Sequence, residues 1–222
     1  MKNKVVAIVL AGGTGVRMGK AVPKQFLEVA HKPIIVHTLE HFEKSDLISD
    51  IVVVCHAEHI GDLESLVKKS GIKKVCTIIP GGKTRQESSF AGIKSCPPDT
   101  EFVLIHDAVR PFVNDKIIKD VFNAAKKYGA AGPVIDVEDT IIEEKNGFIK
   151  SIPDRRYLKR IQTPQGFCYE TILKSHERGV ENNFKDVSDD CGLVISMKKP
   201  VKLVKGDPLN FKITNQRDMF SK

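Results

Sequence analysis

The 222 residues, 41% hydrophobic and 28% charged, suit one large domain or two small ones with a sizeable core and exclude a disordered tail or a fibrous repeat. Lys and Arg number 35 against 28 Asp and Glu, a formal net charge of +7. That balance suits an anionic partner (nucleic acid, an anionic membrane surface or a phosphorylated small molecule) or ordinary surface lysine; with the charge scattered in Lys pairs and no Trp present, a nucleic-acid tail or a base-stacking platform is not expected.

The first half alternates. Lys4–Leu10 is a continuous, β-branched run and reads as a buried parallel strand. The apolar run from Val5 to Ala11, cut off by Gly12-Gly13, is too short and wrongly flanked for a signal peptide, and no apolar run approaches the ~20 residues of a membrane span, so a cytoplasmic protein is expected. After a Gly-rich loop, Ile34, Ile35, Thr38, Leu39 and Phe42 take helical spacing. Ile51–Cys55 is a second strand, and Leu63, Leu66 and Val67 mark a second helix. Val75–Ile79 is a third strand, ended by Pro80-Gly81-Gly82. Ser88–Ile93 reads as helix, Phe102–Ile105 as a fourth strand, and Ile117, Ile118, Val121 and Phe122 as a helix capped by Asn114. Ala130–Ile135 is strand-like again. Such alternation predicts βαβ units in an α/β fold: a mostly parallel twisted sheet with helices on both faces and ligands at the carboxyl ends of its strands.

The segment 137–161 breaks that rhythm. Thr140-Ile141-Ile142, Lys145-Asn146-Gly147 and Phe148-Ile149 read as a β-hairpin with an Asn-Gly turn, an arm inserted into a single domain spanning 1–222. Two helical stretches and a strand, Val201–Val204, follow Gln162–Phe167. Five cysteines without a CxxC support neither a disulfide framework nor a zinc site; Cys55 reads as a buried small hydrophobe. His37 and His41 lack a third ligand nearby and read as surface residues.

The strongest motif is Leu10-Ala11-Gly12-Gly13-Thr14-Gly15-Val16-Arg17-Met18-Gly19, followed by Pro23-Lys24-Gln25. Glycines after a first strand let backbone N–H groups turn toward a polyphosphate. Arg17 and Lys24 set two cations beside it, as a leaving pyrophosphate requires. The loop is not a Walker A motif, and its spacing does not match the GxGxxG of a nicotinamide dehydrogenase. In Gly81-Gly82-Lys83-Thr84-Arg85-Gln86-Glu87-Ser88, Thr84 or Ser88 can cap the next helix, with Arg85 in its first turn. His106-Asp107-Ala108-Val109-Arg110-Pro111 offers one strand-end acid, either a Mg²⁺ ligand or half of an Asp–Arg pair. Gln162-Thr163-Pro164-Gln165 and Asn210-Phe211-Lys212-Ile213-Thr214 have no self-evident chemistry; in a strand pattern Lys212 would point opposite to Phe211 and Ile213, either to solvent or into the cleft. Asp189-Asp190 reads as a helix N-terminal pair rather than a second metal site.

The ordered set LAGGTGVRMG…PKQF, GGKTRQES, HDAVRP, DT, QTPQ and NFKIT, running from Val5 to about Asp218, resembles the cytidylyltransferases that act on sugar-alcohol phosphates. Within them, Arg85-Gln86 with Ser88 and the three residues between Gly19 and Pro23 resemble the 2-C-methyl-D-erythritol 4-phosphate enzymes of isoprenoid precursor synthesis. Leu10-Ala11-Gly12-Gly13 and Ile152-Pro153-Asp154-Arg155 are nearer the ribitol-5-phosphate enzymes of teichoic acid synthesis, which stay as the alternative.

The resemblance implies a Rossmann-like nucleotidyltransferase fold and these roles. Ala11, Gly12, Gly13, Thr14 and Gly15 cradle the CTP phosphates, and Arg17 and Lys24 stabilise the transition state. Gly82 and Ser88 hold the cytidine, and Asp107 helps to place Mg²⁺. Arg110, Thr140, Arg155, Thr163 and Lys212 hold the sugar-alcohol phosphate, Arg155 and Lys212 counting as catalytic. The arm implies a homodimer. The acceptor phosphate attacks the α-phosphorus of CTP and pyrophosphate leaves; the phosphate is already anionic, so no general base is needed.

Overall fold

The computed structural model describes residues 3–13, 23–184, 189–215 and 217–219. Its first strand, β1 (Val5–Ala11), is apolar throughout and buried at all but one position, as a strand covered on both faces must be. A small hairpin of β2 (Glu28–Val29) and β3 (Lys32–Pro33) leads into α1 (Ile34–Lys44). The alternation then continues through β4 (Asp50–Cys55), α2 (Ile60–Lys69), β5 (Val75–Pro80), α3 (Arg85–Lys94), β6 (Phe102–Asp107), α4 (Asp115–Tyr128) and β7 (Ala130–Asp136). The Asn114 side chain caps α4 by accepting from the Ile117 amide at 3.0 Å, as its sequence predicts. At the start of α3 Thr84 does the same for the Glu87 amide.

Strands β1, β4, β5 and β6 pair in parallel, with β1 between β4 and β6. Because successive side chains of a strand point to opposite faces, β1 feeds two cores. Val5, Ala7 and Val9 pack with Leu39 of α1, Leu63 of α2 and Ile118 of α4. Val6 and Ile8 pack on the other face with Ile93 of α3. Gly92 lets α3 lie close there, since a Cβ at that position would stand 2.5 Å from Ile8 Cγ2. On the first face desolvation pushes the Cys55 thiol up to about 11, the inert cysteine its setting predicts.

The arm leaves after β7. It contains the hairpin of β8 (Glu143–Lys145) and β9 (Phe148–Ser151). Asn146 and Gly147 between them have φ of 54° and 82°, the left-handed pair that a two-residue hairpin turn requires. The chain returns through β10 (Lys159–Ile161), antiparallel to β7, and β11 (Gln165–Cys168), antiparallel to both β6 and β7. Then come α5 (Tyr169–Glu181), α6 (Asp190–Ser196) and β12 (Lys202–Lys205), which adds to β7 in parallel. The eight-stranded sheet therefore runs β10-β7-β11-β6-β1-β4-β5 with β12 on β7.

Two readings of the sequence change. Lys212 lies in no strand; the backbone around it is bound to side chains and to the Val109 carbonyl, not to a ladder. His37 and His41 are half-buried rather than on the surface, His37 Nε2 meeting the Val29 carbonyl at 2.8 Å. Among the described residues no helix is long and apolar enough to cross a membrane.

Candidate active site

The carboxyl ends of β1 and β6 lie side by side, with Leu10 opposite Asp107. Above them opens a cleft of about 340 Å³. Its walls bring together Ala11 at the end of β1 with Gly12 and Gly13 after it, Lys24 on the short turn Lys24–Phe26, Gly82, Arg85 and Ser88 at the head of α3, Asp107 at the end of β6, and Lys212. Of the residues expected here, Thr14, Gly15 and Arg17 lie outside the described residues.

Side chains fix the backbone of this cleft. Gln25 is buried, and its Nε2 donates to the Ala11 carbonyl at 2.6 Å, which holds the start of the glycine loop. The Ser88 hydroxyl accepts from the Gly82 amide at 3.1 Å and donates to the Thr84 carbonyl at 2.9 Å, so the Gly81-Gly82 turn is tied to the first turn of α3. Lys24 is buried, with Nζ donating to the Ile213 carbonyl at 3.3 Å.

Asp107 is the only acid among the residues lining the cleft, and three cations surround it. Lys212 Nζ reaches Oδ2 at 2.9 Å, Arg110 Nε stands 3.7 Å from the same oxygen, and Arg85 Nε stands 3.6 Å from Oδ1. Burial alone pushes the carboxyl up, but Lys212 and Arg85 in turn, with Arg110, outweigh it and hold Asp107 well below the usual carboxylate range. It is therefore an anion at neutral pH.

Thr163 lies beneath this cluster, buried. Its Oγ1 accepts from the Asp107 amide at 3.1 Å and meets His106 Nδ1 at 2.9 Å. Burial pushes His106 down to about 3, so the ring is neutral. Its Nε2 faces the Arg110 carbonyl at 3.1 Å and must carry the proton, since a carbonyl only accepts. Nδ1 therefore accepts from Thr163, and the hydroxyl is committed to the end of β6.

The motifs with no evident chemistry turn out to be struts. Gln162 Nε2 donates to the Asp207 and Asn210 carbonyls and its Oε1 accepts from the Asp207 amide. Asn210 Nδ2 donates to the Thr163 carbonyl at 2.8 Å, and Arg110 Nη1 to the Asn210 carbonyl at 3.0 Å. Together they carry Lys212 from the C-terminal segment to Asp107. Gln25 and Arg85 also belong to the site. Gln25 stands within the Pro23-Lys24-Gln25 motif but has no chemistry of its own to give it a role there; the signal for Arg85 is its place at a helix head after a Gly-Gly turn.

Thr140 and Arg155 are not in this cleft. Both are exposed on the arm. Arg155 Nη1 donates to the Glu138 carbonyl at 2.6 Å and, with Arg156 and Lys159, lines a second hollow of about 430 Å³ at the arm's base.

Among the described residues no three His, Cys, Asp or Glu side chains form a ready-made metal site. The lone Asp107 still fits Mg²⁺, which takes one or two carboxylates and completes its shell with phosphate oxygens and water: among the described residues no cation stands closer to its Oδ1 than Arg85 at 3.6 Å.

A family model described as IspD, 2-C-methyl-D-erythritol 4-phosphate cytidylyltransferase, matches residues 5–222. The chain is 39% identical to the 2-C-methyl-D-erythritol 4-phosphate cytidylyltransferase of Desulforamulus reducens (strain ATCC BAA-1160 / DSM 100696 / MI-1), covering 98% of this chain and 93% of that one. It is 42% identical to the protein of the same name in Clostridium botulinum (strain Loch Maree / Type A3), over 98% and 94%. A crystal structure of 4-diphosphocytidyl-2C-methyl-D-erythritol synthase from Anaerococcus prevotii DSM 20548 superposes with a TM-score of 0.86 at 28% identity, over 99% of this chain and 96% of that one.

Proposed function

The chain belongs to the 2-C-methyl-D-erythritol 4-phosphate cytidylyltransferase family, and from that premise we propose how its residues carry out the family's reaction. That reaction moves the cytidylyl group of CTP onto 2-C-methyl-D-erythritol 4-phosphate and releases pyrophosphate. The observation that carries the assignment of the cleft is the meeting of a glycine turn, buried Lys24 and the Asp107–Lys212 pair at the carboxyl ends of β1 and β6. Backbone N–H groups from Ala11 onward, with Thr14 and Gly15, receive the triphosphate. Gly82 and Ser88 hold the cytidine end. Lys24 and Arg17 neutralise charge that grows on the α-phosphate and on the leaving pyrophosphate. An acceptor phosphate oxygen attacks the α-phosphorus; the bond to the bridging oxygen breaks, and the electron pair leaves with pyrophosphate. The chain positions and neutralises, and no side chain need take a proton.

Asp107 would hold Mg²⁺ together with phosphate oxygens of CTP. When bound, the ion supplies charge neutralisation to the triphosphate. Activity should vanish in excess chelator, and Asp107→Asn should lower it; full activity in chelator would show that the metal is not needed. The acceptor is tested in the same assay, by pyrophosphate release from CTP with each polyol phosphate. Release with methylerythritol phosphate is expected. Release with ribitol 5-phosphate alone would reverse the choice of acceptor, which rests on the family model and the names of the relatives.

The arm supports a homodimer. Phe148, Ile149, Ile152 and Tyr157 expose from 62% to 83% of their surface, and clustered apolar exposure of this kind marks a protein–protein contact. The occupant is a second copy of this chain. Thr140, Arg155 and Arg110 then hold the acceptor phosphate, with Thr140 and Arg155 offered to the partner's cleft, while Lys212 and Thr163 serve from the cleft itself, Thr163 through the β6 end that it binds.

A further inference from the structure

The Asp189-Asp190 pair at the head of α6 divides its labour. Asp189 caps the helix, accepting from the Gly192 amide at 2.9 Å. Asp190 turns inward and is 1% exposed. Its Oδ1 accepts from Ser89 Oγ at 2.6 Å and from His176 Nε2 at 3.0 Å. Its Oδ2 accepts from Arg85 Nη1 at 2.7 Å. Taking a carboxylate out of water is costly, and here three donors, one of them a guanidinium, offset that cost. Burial pushes its pKa up, yet Arg85 first and His176 after it outweigh that and hold it at about 2.

Arg85 is the link to the cleft. It lines the cavity and stands between two acids, 2.7 Å from Asp190 but 3.6 Å from Asp107. Asp107 already has Lys212 and Arg110 on Oδ2. A guanidinium released from Asp190 would close onto Oδ1 as well, since a charge-assisted pair forms near 2.8 Å. We propose that Asp190 is a positioning residue for cytidylyl transfer: it holds the Arg85 guanidinium back against the cleft wall and so keeps Asp107 Oδ1 open to the CTP side. The proposal rests on the assignment of this cleft to CTP. It involves residues 105 positions apart in sequence, and it gives the second acid of the pair a use other than helix capping or metal binding.

The test is Asp190→Asn. With its Oδ1 kept on Ser89 and His176, the new amide turns its own N–H groups toward Arg85, donor against donor. KM for CTP and the Mg²⁺ concentration for half-maximal rate should each rise roughly tenfold, the scale on which outer contacts tune a site. KM for the acceptor should stay within twofold. In an Arg85→Ala background the same change should add nothing, because the group it releases is gone; a general loss of packing would multiply with Arg85→Ala instead. A KM for CTP that Asp190→Asn leaves unaltered, or effects that multiply in the double variant, would overturn the proposal. If Asp190→Asn does not fold, Arg85→Gln tests the same link: with no guanidinium left to close onto Asp107, the KM for CTP and the Mg²⁺ response should stay within twofold, and a roughly tenfold rise in either would overturn the proposal, because Arg85 would then serve CTP itself. Lys24→Ala, run alongside, separates the two levels. If it too leaves turnover intact, the assignment of the cleft fails; if it alone abolishes turnover, only the role of Asp190 does.

Discussion

Lys24→Ala is expected to cut turnover by on the order of a hundredfold or more, a barrier increase of about 3 kcal/mol, which is what one preorganised charge-assisted contact contributes in an excluded site. The ammonium is buried at the cleft floor and anchored on the Ile213 carbonyl at 3.3 Å. It is thus set before the reaction begins, and no reorganisation is required when charge develops on the leaving group. Folding asks less of it. The sheet and both cores are built without its charge, so the melting temperature should fall far less than the rate. Arg17→Ala should behave alike. Purified, folded Lys24→Ala enzyme with ordinary turnover would refute the assignment of the phosphate end of the cleft.

Arg155→Ala should raise KM for the acceptor and leave CTP binding nearly intact, because Arg155 stands on the arm and not in the Ala11–Lys24 cleft. A guanidinium fork suits a phosphate monoester. If the arm serves a second subunit, two inactive enzymes can repair one another. In a heterodimer of Lys24→Ala and Arg155→Ala chains, one site carries both lesions and the other neither. Up to about half of a normal dimer's activity should return after subunit exchange, one of two equivalent sites being whole. Exchange proven by mass, with no recovery of activity, would assign the arm to its own chain's cleft.

How far the sequence could be read follows from how local each cause is. β1 was legible because a strand buried on both faces has to be apolar at every position. The α4 cap and the Asn146-Gly147 turn were legible because three or four residues carry their whole mechanism. β11 was not recognised as an antiparallel strand: Gln165–Cys168 is short, and only its neighbours β6 and β7 decide its direction. Lys212 reaches into the cleft without a strand to carry it, and the sequence does not show this because the segment's partners, Gln162 and Val109, lie about 50 and 100 residues upstream. The glycine turn, Lys24 and Asp107 were visible as chemistry. The struts that aim them were not, since Gln25, Gln162 and Asn210 bond to backbone atoms that no spacing rule points to.

Strands β7 and β10 leave and re-enter the sheet side by side, Asp136 opposite Lys159 and Val134 opposite Ile161. Across such a pair the Cα atoms stand only about 5 Å apart, a gap that a two-residue turn can span. The sheet therefore dictates nothing about the length or composition of what lies between. If the arm pairs subunits and holds the acceptor as proposed, insertions, deletions or a wholesale graft of 138–157 would alter both together, as one cassette, while the register of β1 against β6 stayed in place.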